Sequence, residues 1–267
     1  MHRLKKIFRE VWEVSLASLS ASNNAMYLFG IRYFFNPRPG SIEAFLDQFS
    51  KSTTNFQLVQ IGANDGITHD PVHKFIKRYR WAGVLLEPQS WLVENKLRPL
   101  YRKHDNIVIE NLALGKENGA MDLYNIAFTK MRWATGLARF DRTSLLDLFK
   151  NGTVKRRASK FGIEVPESPE DWIDCTTVKT TNAQSLIDRN NLKKIDLLMI
   201  DAEGYDAEVV RLFLNAQPQP LAIAFEEFHL EDHDKALLLN ELTDAGYVHK
   251  TIGPNTIAVK EQIQAML

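Results

Sequence analysis

Carboxylates and one histidine gather where short apolar runs of this sequence end. Ile195-Asp196-Leu197-Leu198-Met199-Ile200 stops on Asp201-Ala202-Glu203-Gly204-Tyr205-Asp206, and Leu221 to Phe225 stops on Glu226-Glu227-Phe228-His229. Two acids spaced Asp-x-Glu at a strand end can face a cation or accept a proton, and a histidine there can take one from a substrate hydroxyl. Asp206 and Glu208 suit equally the positive end of a following helix. Upstream, Phe56 to Ile61 stops on Gly62-Ala63-Asn64-Asp65-Gly66, where glycines permit a tight turn and close approach to a ligand. Trp81 to Leu86 stops on Glu87-Pro88, 25 residues after Gly62. A carboxylate in that place can accept both hydroxyls of an adenosine ribose.

A glycine turn followed by such an acid serves either a dinucleotide or S-adenosylmethionine. A pyrophosphate wants a helix N-terminus opened by a third glycine. Here Gly66 leads instead to Ile67, Thr68, His69 and Asp70. An acidic helix start repels phosphate but accepts ammonium and sulfonium charge, so these residues favour the methyl donor.

The elements that must position these groups can be read from periodicity. The runs Phe56–Ile61, Trp81–Leu86, Asn106–Leu112, Lys194–Ile200 and Leu221–Phe225 alternate with helical patterns. Ser41 caps one helix, whose face is Ile42, Phe45, Leu46 and Phe49; Asp70-Pro71 opens another, with Val72, Phe75, Ile76 and Tyr79. Tyr247–Thr251 and Thr256–Lys260 flank Gly253-Pro254-Asn255 and read as a hairpin. Alternating strands and helices predict a doubly wound α/β domain over 51–267, its parallel sheet covered on both faces. Residues 1–50 form a helical extension ending near the breaker Asn36-Pro37-Arg38-Pro39-Gly40, and residues near 124–180 form an insertion over the sheet's carboxyl edge, where ligands of such sheets bind.

Composition narrows the function classes. The chain has 267 residues, 45% of them hydrophobic and 25% charged, which excludes a disordered or collagen-like chain. Lys and Arg total 33 and Asp and Glu total 33, so no global basic footprint for nucleic acid exists. A single cysteine, Cys175, excludes a disulfide scaffold and favours a reducing compartment; no secretory signal or transmembrane span is read, and a cytoplasmic location is expected. Met26-Tyr27-Leu28-Phe29 and Tyr33-Phe34-Phe35 would suit a homodimer contact, while Lys5, Lys6, Phe8 and Trp12 offer a peripheral membrane contact instead. The basic stretch Lys150, Lys155, Arg156, Arg157 and Lys160 reads either as a solvated helix face or as a site for an acidic partner.

Val59-Gln60-Ile61-Gly62-Ala63-Asn64-Asp65-Gly66, Leu86-Glu87-Pro88, Asn111-Leu112-Ala113-Leu114-Gly115 and Ile195 to Asp206 resemble, in order and spacing, the motifs of the FkbM family of S-adenosylmethionine-dependent methyltransferases, over about residues 56–230. Gly136 to Arg142 is similar to a segment of bacterial members. The resemblance implies a class I methyltransferase, Rossmann-like sheet of seven strands, mostly parallel with an antiparallel terminal hairpin. It implies O-methylation of a hydroxyl, often on a sugar, glycan or secondary metabolite. Gly62, Ala63, Asn64, Asp65 and Gly66 would then line the methionine part of the donor, Glu87 and Pro88 the ribose, and Asn111 and Ala113 the adenine. Gln60 departs from the acid that many such enzymes carry for the donor's ammonium, with Asp65 or Asp201 as substitutes.

Deprotonation of a hydroxyl needs a base or a metal. The candidates are Asp201, Glu203 and His229, with His229 the proton acceptor. In a variant, a divalent ion is shared by Asp201, Glu203 and Glu226, whose hard oxygens suit magnesium. A metal-dependent glycosyltransferase reading Asp201-Ala202-Glu203 as its acid pair, and a non-catalytic module that binds the donor, are the alternatives.

Overall fold

The structure is a computed structural model and describes residues 15–227 and 232–267. Its centre is a sheet built from β1 (Gln57–Ile61), β2 (Ala82–Leu86) and β3 (Ile107–Glu110), followed after a long excursion by β7 (Leu197–Ile200), β8 (Ala222–Glu226), β9 (Tyr247–Ile252) and β10 (Asn255–Lys260). The excursion carries β4 (Ala113–Leu114), β5 (Gly119–Ile126) and β6 (Ile173–Thr181). The strand order is β3-β2-β1-β7-β8-β10-β9, with only β10 running against its neighbours. This is the seven-stranded, mostly parallel sheet with an antiparallel terminal hairpin that the resemblance implies.

Both faces of the central strands are buried, which is why they read as unbroken apolar runs instead of alternating ones. Val59, Ile61, Val84, Leu86, Leu198, Ile200, Ile223 and Phe225 pack on one side against the helices Ala183–Arg189, Asp206–Leu214 and Asp232–Asp244. Leu58, Leu85, Leu197, Met199 and Ala224 pack on the other against Ile42–Ser52, His73–Tyr79 and the helical run over 90–101. Each fully buried Leu, Ile or Phe contributes about 1.5–3 kcal/mol relative to exposure. Ser41 caps its helix by accepting from the Ala44 amide, and Asp70 caps the next by accepting from Val72 and His73.

Chain order reverses between β1 and β7: β2 and β3 extend the sheet on one side of β1, and β7, β8, β10 and β9 on the other. A crevice opens at the carboxyl ends of strands where order reverses, because the connecting loops part in opposite directions. Gly62 makes the junction tight. Its φ is +79°, and a Cβ there would lie 2.0 Å from the Asp201 carbonyl oxygen.

Two boundaries differ from those read along the sequence. The third strand stops at Glu110 because Asn111 turns out of the ladder, and Ala113-Leu114 joins β6 in a second, three-stranded sheet of order β4-β6-β5. β7 starts at Leu197, and just before it the Asp196 carboxylate accepts from the Gln57 amide (2.7 Å) and the Lys194 ammonium (2.8 Å). The small sheet and the helices Arg132–Thr135, Arg142–Lys150 and Thr153–Lys160 enclose their own cluster of Ile126, Trp133, Leu137, Leu145, Phe149, Val154 and Ala158. Helix Thr153–Lys160 buries Val154 and Ala158 and leaves Lys155, Arg156, Arg157 and Lys160 exposed.

Candidate active site

A cleft of about 590 Å³, partly open to solvent, lies over the β1–β7 junction. Gly62, Asn64, Glu87, Pro88, Ala113, Asp201 and Glu203 line it, so residues from four separate strand ends meet there. A second cavity of about 920 Å³ adjoins it, sharing Gly62, Arg132 and Asp201; its mixed lining sets Glu43, Gln60, Thr68, His69, Asp70, Glu226 and Asn255 among Ile42, Ala63, Met199, Ile200 and two prolines.

Glu87 is 2% exposed, and its carboxylate accepts from the amides of Asn64 (2.8 Å) and Gln89 (2.9 Å). Burial pushes its pKa up to about 7, and the two N–H donors oppose that shift. Asn111 does not line the cleft. Its amide donates to the carbonyls of Glu87 and Pro88 (2.9 Å each), stapling the loop that carries the acid. Gly66 is also a packing residue: a Cβ there would meet Leu97 Cδ2 at 2.6 Å. Asp65 uses Oδ1 to accept from the Ile67 and Thr68 amides and lines a neighbouring groove.

The Asp201–Asp206 loop is held by Asp206, which accepts from the amides of Ala202 (3.4 Å) and Gly204 (3.2 Å). Desolvation pushes Asp206 up to about 6. Glu203 adopts φ +50°, a left-handed conformation that costs about 1–3 kcal/mol for a non-glycine residue and recurs at functional sites. Burial, then the neighbouring Asp201 charge, raises Glu203 to about 8, opposed by Arg139 and Arg132. Arg139 Nη2 stands 3.9 Å from Glu203, and Arg132 Nη2 4.0 Å from Asp201. Asp201 itself is raised by burial and pulled back by Arg132.

His229 lies outside the described residues. Among the described residues no three His, Cys, Asp or Glu side chains gather to hold a metal ion, so Asp201, Glu203 and Glu226 do not form the ligand set of the divalent-ion variant.

Sequence reading placed the insertion over the carboxyl edge but named none of its residues as part of the site. Arg132, Thr135, Gly136, Ala138 and Phe140 roof the cleft, and Thr135 ties roof to floor. Its hydroxyl donates to Asn64 Oδ1 (3.3 Å), and its carbonyl accepts from Gln89 Nε2 (2.9 Å). Phe140 meets Tyr205 edge-on at 5.5 Å and closes the far wall. A Cβ at Gly136 would fall 2.0 Å from Arg132 Nη1, so this glycine makes room for the folded-back guanidinium. The sequence signals for the roof were the insertion read over 124–180 and the Gly136–Arg142 resemblance, and neither carried a role for any residue.

The family model described as the methyltransferase FkbM domain matches residues 60–248. No curated protein matches the chain. Solved structures similar to it include the precorrin-6y C5,15-methyltransferase from Geobacter metallireducens GS-15, at 12% identity, TM-score 0.37, covering 85% of this chain and 93% of that one. A methyltransferase from Pyrococcus furiosus matches at 12% identity and TM-score 0.37, over 87% of this chain and 92% of its own. The delta-N METTL16 methyltransferase domain matches at 11% identity and TM-score 0.39, over 82% and 83%.

Proposed function

The chain belongs to the FkbM methyltransferase family, and from that premise we propose that it transfers a methyl group from S-adenosylmethionine to a hydroxyl of a polyhydroxylated small molecule or glycan. When bound, the donor supplies an electrophilic methyl on a sulfonium. The reading is carried by the way two cavities meet at Asp201: an apolar-walled cleft ending on the buried Glu87, and a cavity of mixed lining beside it that presents several hydrogen-bonding side chains.

The residues present fit the donor. Leu112, Ala113, Leu123, Ala138 and Phe140 offer an apolar slot for adenine, and the Glu87 carboxylate stands ready to accept from ribose hydroxyls. For the zwitterionic end, Gln60 and Arg132 carry buried polar atoms without partners, Oε1 and Nε. Gln60 Nε2 already donates to Asp70 Oδ2 (3.1 Å), which leaves the unpartnered Gln60 Oε1 to accept from the ammonium, with Arg132 facing a carboxylate. Asp65 caps its own turn through Oδ1 and lines the neighbouring groove and neither of the two cavities, so this reading does not assign it the ammonium.

Asp201 is the acid that borders both cavities, and in this reading it accepts the hydroxyl proton. Burial makes it a stronger base than an exposed aspartate, and the Arg132 charge opposes that rise. Glu203, raised to about 8, is largely protonated at neutral pH and donates a hydrogen bond instead. The second cavity supplies Thr68, His69, Asn255 and Glu226 as partners for several acceptor hydroxyls.

The Asp201→Asn variant tests the assignment. Turnover with a hydroxylated acceptor should fall about 10²–10⁴-fold, the range of a lost general base, while S-adenosylhomocysteine binding by calorimetry changes little. If His229→Ala causes that fall and Asp201→Asn does not, the base is His229.

A further inference from the structure

The N-terminal helix Ala25–Tyr33 is fastened to the domain by one face only. Ile31 is buried beneath it, its carbonyl accepts from Arg78 Nε (2.9 Å), and the Tyr27 hydroxyl meets His73 Nε2 (3.3 Å). Just before it, Lys77 Nζ donates to the Ser20 carbonyl (2.9 Å) and Asn23 Oδ1 (3.1 Å). The outward face carries Met26, Phe29, Tyr33 and Phe34, exposed by 84, 55, 65 and 75%. Phe29 touches both Tyr33 (4.7 Å between centroids) and Phe34 (5.8 Å), so the rings form one preassembled cluster. Large side chains scattered singly on a surface are ordinary, but a contiguous aromatic group marks an interaction site.

Charge decides what covers it. Residues 14–42 contain no Asp or Glu, while Arg32 and Arg38 are exposed beside the cluster. Lys74 adds a third cation, its ammonium 4.2 Å from the Phe35 ring centroid. A second copy docking face to face would set these cations against their own equivalents, with no carboxylate in the segment to pair them. A bilayer of anionic lipid offers what is missing, headgroup charge for the basic side chains and an acyl boundary for the rings.

We propose that the face formed by Met26, Phe29, Tyr33 and Phe34, with Arg32, Arg38 and Lys74 around it, seats this protein on an anionic membrane surface. The inference does not depend on the methyltransferase reading. The mode is interfacial: among the described residues no helix is long and apolar enough to span a bilayer. The preceding helical segment over 15–21 places Ala17, Ser18 and Ala21 in a groove that also reaches Arg132 and Thr135, so the docked segment borders the mouth of the candidate active site.

The test is sedimentation of the full chain with phosphatidylcholine vesicles, with and without about 30% phosphatidylglycerol as the anionic lipid. Binding is expected with the anionic vesicles and should fall steeply with salt. Phe29→Ser with Phe34→Ser should lower it about tenfold or more, and Arg32→Glu should lower it about fivefold or more on anionic vesicles only. All three side chains are exposed, so melting temperature should be unchanged, which separates lost docking from lost folding. Absence of binding by the wild type, or equal binding by the aromatic variant, overturns the proposal. So does a wild-type dimer in light scattering that the aromatic variant converts to monomer, which would give this face to a second copy.

Discussion

At the scale of single residues, the buried carboxylates are the main charge problem of this molecule, and their environments set what each can do. Glu87 shows the sign. Burial raises its pKa to about 7, and in the proposed reading the ionised carboxylate, with both oxygens accepting, holds the two ribose hydroxyls far better than the neutral acid. Ligand binding must therefore expel a proton below that value, and affinity should fall by about tenfold per unit as pH drops further. 5′-Methylthioadenosine, which lacks the amino-acid part, isolates this effect from Asp70 and Asp201. Its dissociation constant should be flat above pH 8 and weaken from pH 7 to 5, and Glu87→Gln should be weaker throughout and lose the slope. Glu87 was legible because a strand end, a glycine turn 25 residues earlier and an acid are all local features. Asp70 was legible only as a helix start. Its pairing with Gln60 depends on how the helix settles over β1, and spacing does not encode that.

Between residue and molecule, the insertion is the element that completes the cleft while owning a separate core. Its cluster around Leu145 and Trp133 shares no buried residue with the two clusters flanking the sheet. Leu145 is fully buried, so Leu145→Ala should cost about 2–5 kcal/mol. That loss should be local. Hydrogen exchange should accelerate over the insertion and at Asn64, which Thr135 holds, while amides of β1 and β7 stay protected. Uniform acceleration would show that roof and sheet unfold together. Strand and helix identities were readable here from apolar runs and caps. The second sheet was not, because β4 has two residues and β6 alternates in exposure too weakly to mark a core face.

For the whole molecule, a net charge of zero conceals a division of labour. Acids collect at the strand ends facing a cationic donor, and an acid-free aromatic and basic segment occupies the N-terminal face. A ligand held between sheet and roof should stabilise the fold as a unit. S-adenosylhomocysteine at a hundred times its dissociation constant adds about 2.7 kcal/mol, which should raise the melting temperature by roughly 5–10 °C. A shift under 2 °C at saturation, read by calorimetry, would mean that the cleft does not bind this ligand as one body. The sequence alone determined the parallel sheet, its order of loops and the acids at their ends, because burial on two faces and tight turns leave local signatures in residue type. Only the tertiary structure decided that Arg132, Thr135 and Phe140 roof the cleft, that Asn111 staples instead of lining, and that an aromatic cluster faces outward. Those outcomes depend on which distant segments pack together, and packing is settled by the shape of the whole core.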